Sequence, residues 1–408
     1  MIDLLPKQSK AITKQITNKV GALFMKMGTG KTRVAVELVN KVHELDLVVY
    51  IAPLSIIVPK DESIQPISIE VEKWGGFNTK EVIYIGIETI GMSDRQYLQL
   101  YKKIATSWRC FLIIDESIKV KNIDAKRTQR VIEYSKMVEY KMILNGEPIT
   151  RDLLDLWSQF YILDPEILNM SLAEFKNTFC KYTTVTKSYP GRYKQYTKEF
   201  ITGYENIDYL YSLIGEYVYE CDLELNVKQI FETKTFYLSE SEQKEYDYLK
   251  KKYLDNEMLL MLNNNIFLEM TQKMQHEYSC SDGKFRIVED WYKLYPEEKS
   301  IIYCQYVVSA NECRERFPKA LVLNYNSSFG HNLQDRPFTV YFDQTFDWAK
   351  VIQASHRNYR TGQENDCRYL RLVSSVGLGK LYFDNNTKKI GISEYLKKIS
   401  SQKLKEIL

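Results

Sequence analysis

The sequence lacks several features that mark specialised classes of protein. No stretch approaches the ~18 uninterrupted apolar residues that a membrane span needs, and residues 1–7 lack the basic-then-apolar layout of a secretion signal. The seven cysteines are scattered without a Cys-x-x-Cys pair, and the four histidines show no ligand spacing. We therefore expect a cytoplasmic protein with no membrane segment, no disulfide framework and no structural metal.

An excess of one charge is missing as well. Lys and Arg number 56 against 53 Asp and Glu, which gives a formal net charge of +3. This balance is too even to predict a nucleic-acid partner, because net charge only biases the choice of partner. The 31 tyrosines are unusual, but a tyrosine stacks on a base as readily as it fills a core. Composition therefore leaves the partner open, and the 408 residues predict two or three domains.

Short apolar runs alternate with amphipathic ones along the first half of the chain, which predicts a parallel sheet wrapped by helices. Helical spacing covers 32–45 and 124–138. Buried strands are predicted at 20–24, 47–51, 82–87, 111–114 and 142–144. Residues 152–220 are predicted to be mainly helical, with a hairpin around the Pro-Gly turn in 187–196. Strand patterns return at 227–238, 300–303, 320–323 and 338–342, so a domain boundary is expected between 215 and 235.

A candidate phosphate-binding loop joins the first predicted strand to the first predicted helix. It reads Met27-Gly28-Thr29-Gly30-Lys31-Thr32. Glycines let successive backbone amides point at phosphate oxygens, helped by the positive end of the helix. Lys31 is the candidate for the β- and γ-phosphates, and the Thr32 hydroxyl is the candidate magnesium ligand. An ordinary turn with a surface lysine is the alternative, because Met25 stands where the full pattern has a small residue.

Two adjacent carboxylates, Asp115 and Glu116, end the apolar run at 110–114. Strand ends present side chains at the ligand-binding edge of an α/β sheet. Asp115 is therefore a candidate to complete a magnesium shell with Thr32, and Glu116 a candidate general base for the attacking water. An Asp-Glu pair can also simply begin a helix. Its position about 80 residues after Lys31 favours ATP hydrolysis.

These motifs, in this order, resemble those of superfamily-two helicases, specifically the Swi/Snf-type translocases and their small bacteriophage-encoded relatives. The resemblance implies that Gln8 reads adenine and that the segment Asn145-Gly146-Glu147-Pro148-Ile149 is the coupling motif. Gly146 and Glu147 are then coupling residues. A fifth motif is matched at 327–333, which implies nucleotide contacts for Gly330 and Asn332 and leaves His331 in an apolar slot.

The strongest resemblance lies at 353–363, which matches the sixth motif at every defining position. It reads Gln353-Ala354-Ser355-His356-Arg357-Asn358-Tyr359-Arg360-Thr361-Gly362-Gln363. Arg357 and Arg360 are expected on one helical face, where both could point at a γ-phosphate, and Gln353 is a coupling candidate. An arginine supplied by a second lobe can raise turnover by ~10³–10⁵. A basic helix with solvated arginines is the alternative.

The sequence departs from the family at several positions. Met25 and Lys26 stand where acidic residues are common, and Asn145 and Glu147 occupy places usually held by Thr or Ser. Ile118 replaces the histidine that usually ends the second motif, so coupling through that residue is absent or rerouted. An extra helix and strand of the relatives are missing before the fifth motif. The second lobe is therefore short, which makes strand separation a weaker expectation than ATPase activity or short-range translocation.

Candidate nucleic-acid contacts come from three segments. Pro53 lies in Ala-Pro-Leu-Ser at 52–55, which resembles the strand end that touches the DNA backbone. Lys121 belongs to a basic stretch at 119–141, although such runs are usually solvated faces. Lys187, Arg192 and Tyr193 lie in the predicted hairpin, which mixes basic residues for phosphates with aromatics for bases. An ordinary surface hairpin fits that composition equally well.

The sequence as a whole predicts an α/β fold of two RecA-like parallel-sheet lobes, a P-loop NTPase with small helical insertions. The first lobe is expected at 1–220, with a helical and hairpin extension at about 152–220. The shortened second lobe is expected at 225–408, with a helical insertion at about 240–298. The predicted function is a monomeric, ATP- and magnesium-dependent DNA translocase or helicase with its ATP site in the cleft between the lobes. Its DNA would be single-stranded, duplex or branched, in phage replication, recombination or repair; an RNA helicase and a DNA-binding or annealing module with a degenerate motor remain alternatives.

Overall fold

A computed structural model describes residues 3–59, 65–149, 153–187, 196–254, 272–325, 332–345, 348–377 and 379. The chain divides into two compact units, Met1–Leu223 and Glu224–Leu408. Each unit has a parallel sheet and buried apolar clusters of its own. This is the α/β architecture of two parallel-sheet lobes that the sequence predicts. Among the described residues, no helix is both long enough and apolar enough to cross a membrane.

Six parallel strands form the sheet of the first unit. In chain order they are β1 (Val20–Met25), β2 (Leu47–Ala52), β3 (Glu81–Gly86), β4 (Cys110–Asp115), β5 (Tyr140–Asn145) and β8 (Val218–Cys221). Their order across the sheet is β3-β2-β4-β5-β1-β8. β1, β2 and β4 are buried along their whole length, because near-continuous apolar runs suit strands that are covered on both faces.

Helices cover both faces of this sheet. They are α1 (Pro6–Gln15), α2 (Lys31–Val39), α3 (Leu54–Ile57), α4 (Ile67–Lys73), α5 (Ile87–Met92), α6 (Asp94–Thr106), α7 (Lys126–Ser135), α8 (Asp155–Leu163), α9 (Pro165–Leu168), α10 (Leu172–Phe179) and α11 (Ile207–Ile214), with a 3-10 turn at Ser117–Val120. Side chains alternate along a strand, so Ala22 and Phe24 of β1 enter one apolar cluster while Leu23 and Met25 enter another. The core of the first unit therefore has two layers.

A hairpin interrupts the helical part of the first unit, but its strands flank the predicted stretch 187–196 and replace helix that was predicted on either side of it. Strands β6 (Cys180–Lys187) and β7 (Tyr196–Tyr204) pair antiparallel, with an irregularity between Lys181 and Tyr182. The turn itself, with the Pro-Gly pair, lies outside the described residues.

The first helix ties the beginning of the first unit to its end. The Lys14 ammonium donates to the carbonyl of Val218 (2.6 Å), and the Gln15 amide donates to the carbonyl of Tyr217 (3.0 Å). In return, the Tyr219 hydroxyl donates to the carbonyl of Lys7 (2.8 Å). α1 is therefore fixed along the edge strand β8, and Gln8 is held at a defined place beneath the loop that follows β1.

The second unit has a five-stranded parallel sheet in the order β11-β10-β12-β13-β9. The strands are β9 (Gln229–Phe236), β10 (Ser300–Cys304), β11 (Leu321–Asn324), β12 (Phe338–Tyr341) and β13 (Cys367–Ser374). Its helices are α12 (Glu240–Leu254), α13 (Asp282–Tyr292), α14 (Val307–Arg316) and α15 (Trp348–Ser355), with a 3-10 turn at Glu297–Lys299. Lys284 and Asp343, both buried, form an ion pair at 2.7 Å beside this sheet, and Asp343 also accepts hydrogen bonds from the backbone of Gln305 and from Ser309.

The predicted strands of both units are present, with ends that move by one or two residues, and β8 and β13 are additional. The helix predicted over 32–45 is shorter and ends at Val39. Asn40 follows it and uses its side chain to bond the carbonyl of Gly76 and the amide of Asn78. Glu44 has a left-handed backbone (φ 58°), which an α-helix of L-residues does not continue through.

Candidate active site

The predicted ATPase residues of the first unit come from three neighbouring strands, β4, β5 and β1. Phe24 of β1 pairs with Asn145 of β5, and Asp115 of β4 pairs with Leu144. The three strands therefore end within about one residue of each other at the carboxyl edge of the sheet. This is the edge at which parallel α/β sheets bind ligands.

The loop between β1 and α2 has the backbone of a phosphate cradle. Gly28 and Gly30 both have left-handed conformations, with φ values of 81° and 85°, which cost little only for glycine. The Gln8 amide donates to the carbonyl of Thr29 at 3.0 Å. A Cβ atom at residue 30 would overlap that amide, so Gly30 is required both by its conformation and by the close approach of Gln8.

Gln8 is almost fully buried, at 4% exposure. Its Oε1 accepts a hydrogen bond from the amide of Leu5 at 3.0 Å, while its Nε2 holds the loop at Thr29. These partners fix which end of the amide is oxygen, because Leu5 N only donates and Thr29 O only accepts. The structure thus places Gln8 at the loop, with one bond from each end of its amide directed to the protein.

Lys31 and Thr32 begin α2 directly after the loop. The Lys31 ammonium donates to the carbonyl of Met25 at 2.8 Å, which keeps it over the end of β1. Gly146, at the end of β5, also lies against the lysine, since a Cβ atom there would be 3.7 Å from the Lys31 Nζ. Thr32 is 8% exposed, in the first turn of the helix. The structure therefore brings the predicted phosphate-binding residues together.

Asp115 is the buried carboxylate of the site. Its two oxygens accept from the Tyr50 hydroxyl and from the amide of Glu116, both at 2.9 Å. Burial, followed by the charge of Glu116, raises the pKa of Asp115 to about 6, although the charge of Lys31 and the bond from Tyr50 oppose the shift. A carboxylate that is costly to ionise in the free protein gains strongly from a nearby cation.

Glu116 has a left-handed backbone (φ 51°) and is only half-buried. The turn that it makes separates it from the buried Asp115 and leads into the 3-10 turn Ser117–Val120. Non-glycine residues seldom adopt this conformation, and those that do are concentrated at functional sites. The pair therefore presents two carboxylates in different environments, one buried and one half-buried.

The predicted coupling segment lies beside the phosphate loop. A Cβ atom at Gly146 would be 3.3 Å from Met27, which is a close contact. Glu147 forms an ion pair with Lys26. Both residues depart from the family pattern, since the lysine replaces an acidic residue and the glutamate replaces Thr or Ser. The two departures therefore pair with each other. The Asn145 side chain accepts from the amide of Glu147 at 3.0 Å and fixes the turn.

Gln159 of α8 is a residue of this site that the sequence analysis does not identify. Its Oε1 accepts from the Ser117 hydroxyl at 2.6 Å and from the Asn145 amide at 3.5 Å. Its Nε2 donates to the carbonyls of Asp155 and Pro148, at 2.7 and 2.8 Å. A glutamine inside an apolar helix is the only signal that the sequence offers, and such a residue has many possible partners.

In the second unit, Arg357 and Arg360 follow α15 and do not lie in it. The expectation that both share one helical face is wrong, because the helix ends at Ser355 and residues 356–362 form turns. Arg357 is 6% exposed, whereas Arg360 is half-buried and donates to the Asn332 side chain. The structure therefore confirms neither a shared face nor a solvated basic helix.

The turn that carries the two arginines is held by side chains around it. Asn358, fully buried between them, donates to the carbonyl of Arg336 and to Thr339, both at 3.0 Å. The Tyr369 hydroxyl of β13 is 2.9 Å from the Asn358 oxygen. Gly362, with φ 95°, then reverses the chain. These contacts compete with helix continuation and explain why the helix ends at Ser355, within the sixth motif.

The remaining predicted residues fall in several places. Gln353 lies in α15 and is half-buried, and Pro53 is buried where it precedes α3. Lys121 pairs at 3.2 Å with the buried Asp155, which is a structural role that the nucleic-acid prediction did not include. Lys187 ends β6. Gly330, Arg192 and Tyr193 lie outside the described residues.

The first unit fits magnesium-bound ATP by the chemistry of its donors. Within the described ranges, no group of three or more His, Cys, Asp or Glu side chains could hold a metal by itself. Magnesium is usually held by one or two protein ligands together with waters and substrate phosphates. Asp115 and Thr32 supply that small set beside a loop shaped for phosphate. The residues present therefore suit a metal that arrives with a nucleotide.

Comparison with known families identifies a match to the central part of the chain. The profile of the SNF2-related domain matches residues 70–279, which is more than half of the chain. The matched range contains Asp115, Glu116 and the coupling segment. It contains neither the phosphate loop nor the arginines, so those assignments depend on the motifs and on the geometry.

Individual relatives match shorter stretches. "Helicase domino" of Drosophila melanogaster is 36% identical over 72 residues, covering 18% of this chain and 2% of that protein. "Nuclear protein STH1/NPS1" of Saccharomyces cerevisiae is 27% identical over 175 residues, covering 39% of this chain and 12% of that protein. The chain thus spans only a small part of the relatives that it matches. A solved structure, the Sulfolobus solfataricus SWI2/SNF2 ATPase core in complex with dsDNA, aligns over 100% of this chain and 97% of its own, at 18% identity and a TM-score of 0.42.

Proposed function

The chain belongs to the SNF2-related domain family, and on that premise we propose that it is an ATP-driven motor that moves on DNA. ATP hydrolysis is the activity that the site of the first unit supports best. The partner is proposed to be DNA because the motifs resemble those of Swi/Snf-type translocases and one relative is titled a helicase. Action in phage replication, recombination or repair stays a prediction from the sequence resemblance.

The residues of the first unit divide the work on ATP. The loop amides and Lys31 bind the phosphates, with the lysine held over the end of β1 by Met25. Asp115 and Thr32 hold magnesium, which neutralises charge on the phosphates when it is bound. Glu116, more open to solvent than Asp115, orients the attacking water and accepts its proton. Tyr50 keeps the Asp115 carboxylate directed to this edge.

The arginines of the second unit complete the proposal. Arg360, held near Asn332, is proposed to stabilise the charge that develops on the terminal phosphate, and Arg357 to support it. A charge placed where negative charge grows accelerates phosphoryl transfer without contributing much to binding. Hydrolysis would then require both units, which is how ATP turnover becomes movement.

One observation carries the proposal: Lys31, Asp115 and Gly146 lie close together at the carboxyl edge of the sheet, where three adjacent strands end within about one residue of each other. Lys31→Ala is therefore expected to reduce DNA-stimulated phosphate release by at least about 100-fold, measured with a coupled assay. Lys19→Ala is the matched control, because Lys19 lies just before the other end of β1 in an exposed pair with Glu139. Turnover by Lys31→Ala at the rate of the control would refute the assignment.

The alternatives are separated by the choice of nucleic acid. Duplex, single-stranded and forked DNA and single-stranded RNA should be compared as activators of phosphate release. Stimulation by RNA alone would identify an RNA-dependent enzyme. Binding to DNA without hydrolysis under any condition would identify a binding or annealing module.

A further inference from the structure

We propose that Gln159 is a positioning residue that links the acidic pair to the coupling segment. This inference rests on the proposed ATPase function and adds a residue that neither the motifs nor the family match identifies. The link runs within the first unit, from the end of β4 through α8 to the end of β5.

The link is a fully satisfied buried network. Gln159 and Ser117 have no exposed surface, and Asn145 is 1% exposed. Gln159 accepts from both of the others and donates to the carbonyl of Pro148. The Asn145 amide also lies 3.3 Å from the Ser117 oxygen. In a site of low dielectric, such a network has one favourable arrangement, and each member fixes the others.

Each end of the network touches a functional segment. Ser117 directly follows Glu116, so its hydroxyl holds the left-handed turn that presents the general base. Asn145 and Pro148 bracket Gly146 and Glu147, which contact Met27 and Lys26 of the phosphate loop. A shift of the coupling segment is therefore transmitted to Glu116 mainly through Gln159, whose bonds to Ser117 and Pro148 are shorter than the direct contact of 3.3 Å between Asn145 and Ser117. Ile118, in the place of the usual histidine, offers no hydrogen-bonding group for this connection.

The test uses Gln159→Met, which keeps the length of the side chain and removes its hydrogen bonds. The DNA-stimulated kcat is expected to fall about tenfold, while the KM for ATP and the affinity for ADP stay within about twofold. Ser158→Ala is the matched control, because Ser158 is equally buried on the same helix and its hydroxyl donates to the carbonyl of Val120, outside the network. Its kcat is expected to stay near the wild-type value at a similar loss of thermal stability.

Two further variants separate the possible outcomes. If the link acts as one unit, Ser117→Ala combined with Gln159→Met should lower kcat no further than Gln159→Met alone. Equal kcat values for Gln159→Met and Ser158→Ala would overturn the inference. Glu116→Gln shows whether the proposed function itself holds. Normal turnover by that variant would refute the assignment of Glu116 as general base. An inactive Glu116→Gln together with a normal Gln159→Met would refute only the role of Gln159.

Discussion

At the scale of single residues, the site depends on how differently its two carboxylates are surrounded. Asp115 is buried beside Tyr50, and its pKa is raised to about 6 mainly by that burial. Glu116, one residue later, turns outward through a left-handed backbone. In the proposed mechanism, the first environment suits a ligand for a cation and the second suits a base that water can reach.

The raised pKa of Asp115 predicts a pH-dependent stability of the metal-free protein. Because its pKa is higher in the folded than in the unfolded state, the folded state holds the extra proton between about pH 4 and pH 6, so this contribution falls as pH rises. The difference corresponds to about 3 kcal/mol, present below pH 4 and lost above about pH 6. Asp115→Asn should lack this component.

Urea unfolding in chelator at about pH 5 and about pH 7.5 would measure it. The wild type is expected to lose more stability than Asp115→Asn between the two values. Identical pH dependence of the two proteins would contradict the burial argument for Asp115.

At the scale of elements, stacked tyrosines support the turn that carries the arginines. Tyr303, Tyr341 and Tyr369 stand on three adjacent strands, with ring centroids 6.0 Å apart in each successive pair. The Tyr303 hydroxyl approaches the carbonyl of Ala354, and the Tyr369 hydroxyl bonds the carbonyl of Ser355 as well as Asn358. Tyrosine hydroxyls of the sheet therefore hold the end of α15 and the turn that follows it.

Tyr369→Phe is expected to lower the kcat for ATP about tenfold, because a small displacement of Arg360 weakens stabilisation of the transition state. Nucleotide affinity should not change, since the phosphate loop belongs to the other unit. Tyr325→Phe removes a buried hydroxyl of the same stack, which donates to the carbonyl of Asp343 at 2.9 Å, and it serves as the control. Steady-state kinetics of both variants would test this role. Equal kcat values for the two variants would exclude it for Tyr369.

The sequence predicted elements better than it predicted their ends and their contacts. Apolar runs such as 47–51 and 111–114 suffice to predict buried strands, and Lys31 and Asp115 follow from local motifs. The end of α15 depends on Asn358 meeting Arg336 and Thr339, which are distant in sequence. Gln159 likewise acquires its role only when α8 packs against β5. Such long-range partners are not encoded in any local spacing.

At the scale of the whole molecule, the two units have separate cores, and each carries some of the residues in the proposed mechanism. Each of the four buried apolar clusters lies entirely within one unit or the other. The phosphate loop and acidic pair belong to Met1–Leu223, and the arginines belong to Glu224–Leu408. Independent cores are the property that allows units of a chain to fold alone.

A fragment of residues 1–223 is therefore expected to fold and to bind ATP, but to hydrolyse it at least about 100-fold more slowly than the full chain, because it lacks Arg357 and Arg360. Circular dichroism melting, nucleotide titration and phosphate release would test the three parts. Full-rate hydrolysis by the fragment would show that the arginines are dispensable.

The attachment of α1 along β8 has a practical consequence for protein engineering. The Tyr219 hydroxyl bonds the carbonyl of Lys7, so the beginning and the end of the first unit lie side by side. Trimming the N-terminal helix would leave the phosphate loop, the acidic pair and the coupling segment intact in the sequence, yet it would remove the Gln8 amide that bonds Thr29 and uncover an edge strand. The same adjacency makes this unit a good candidate for circular permutation, with new ends cut into a distant surface loop.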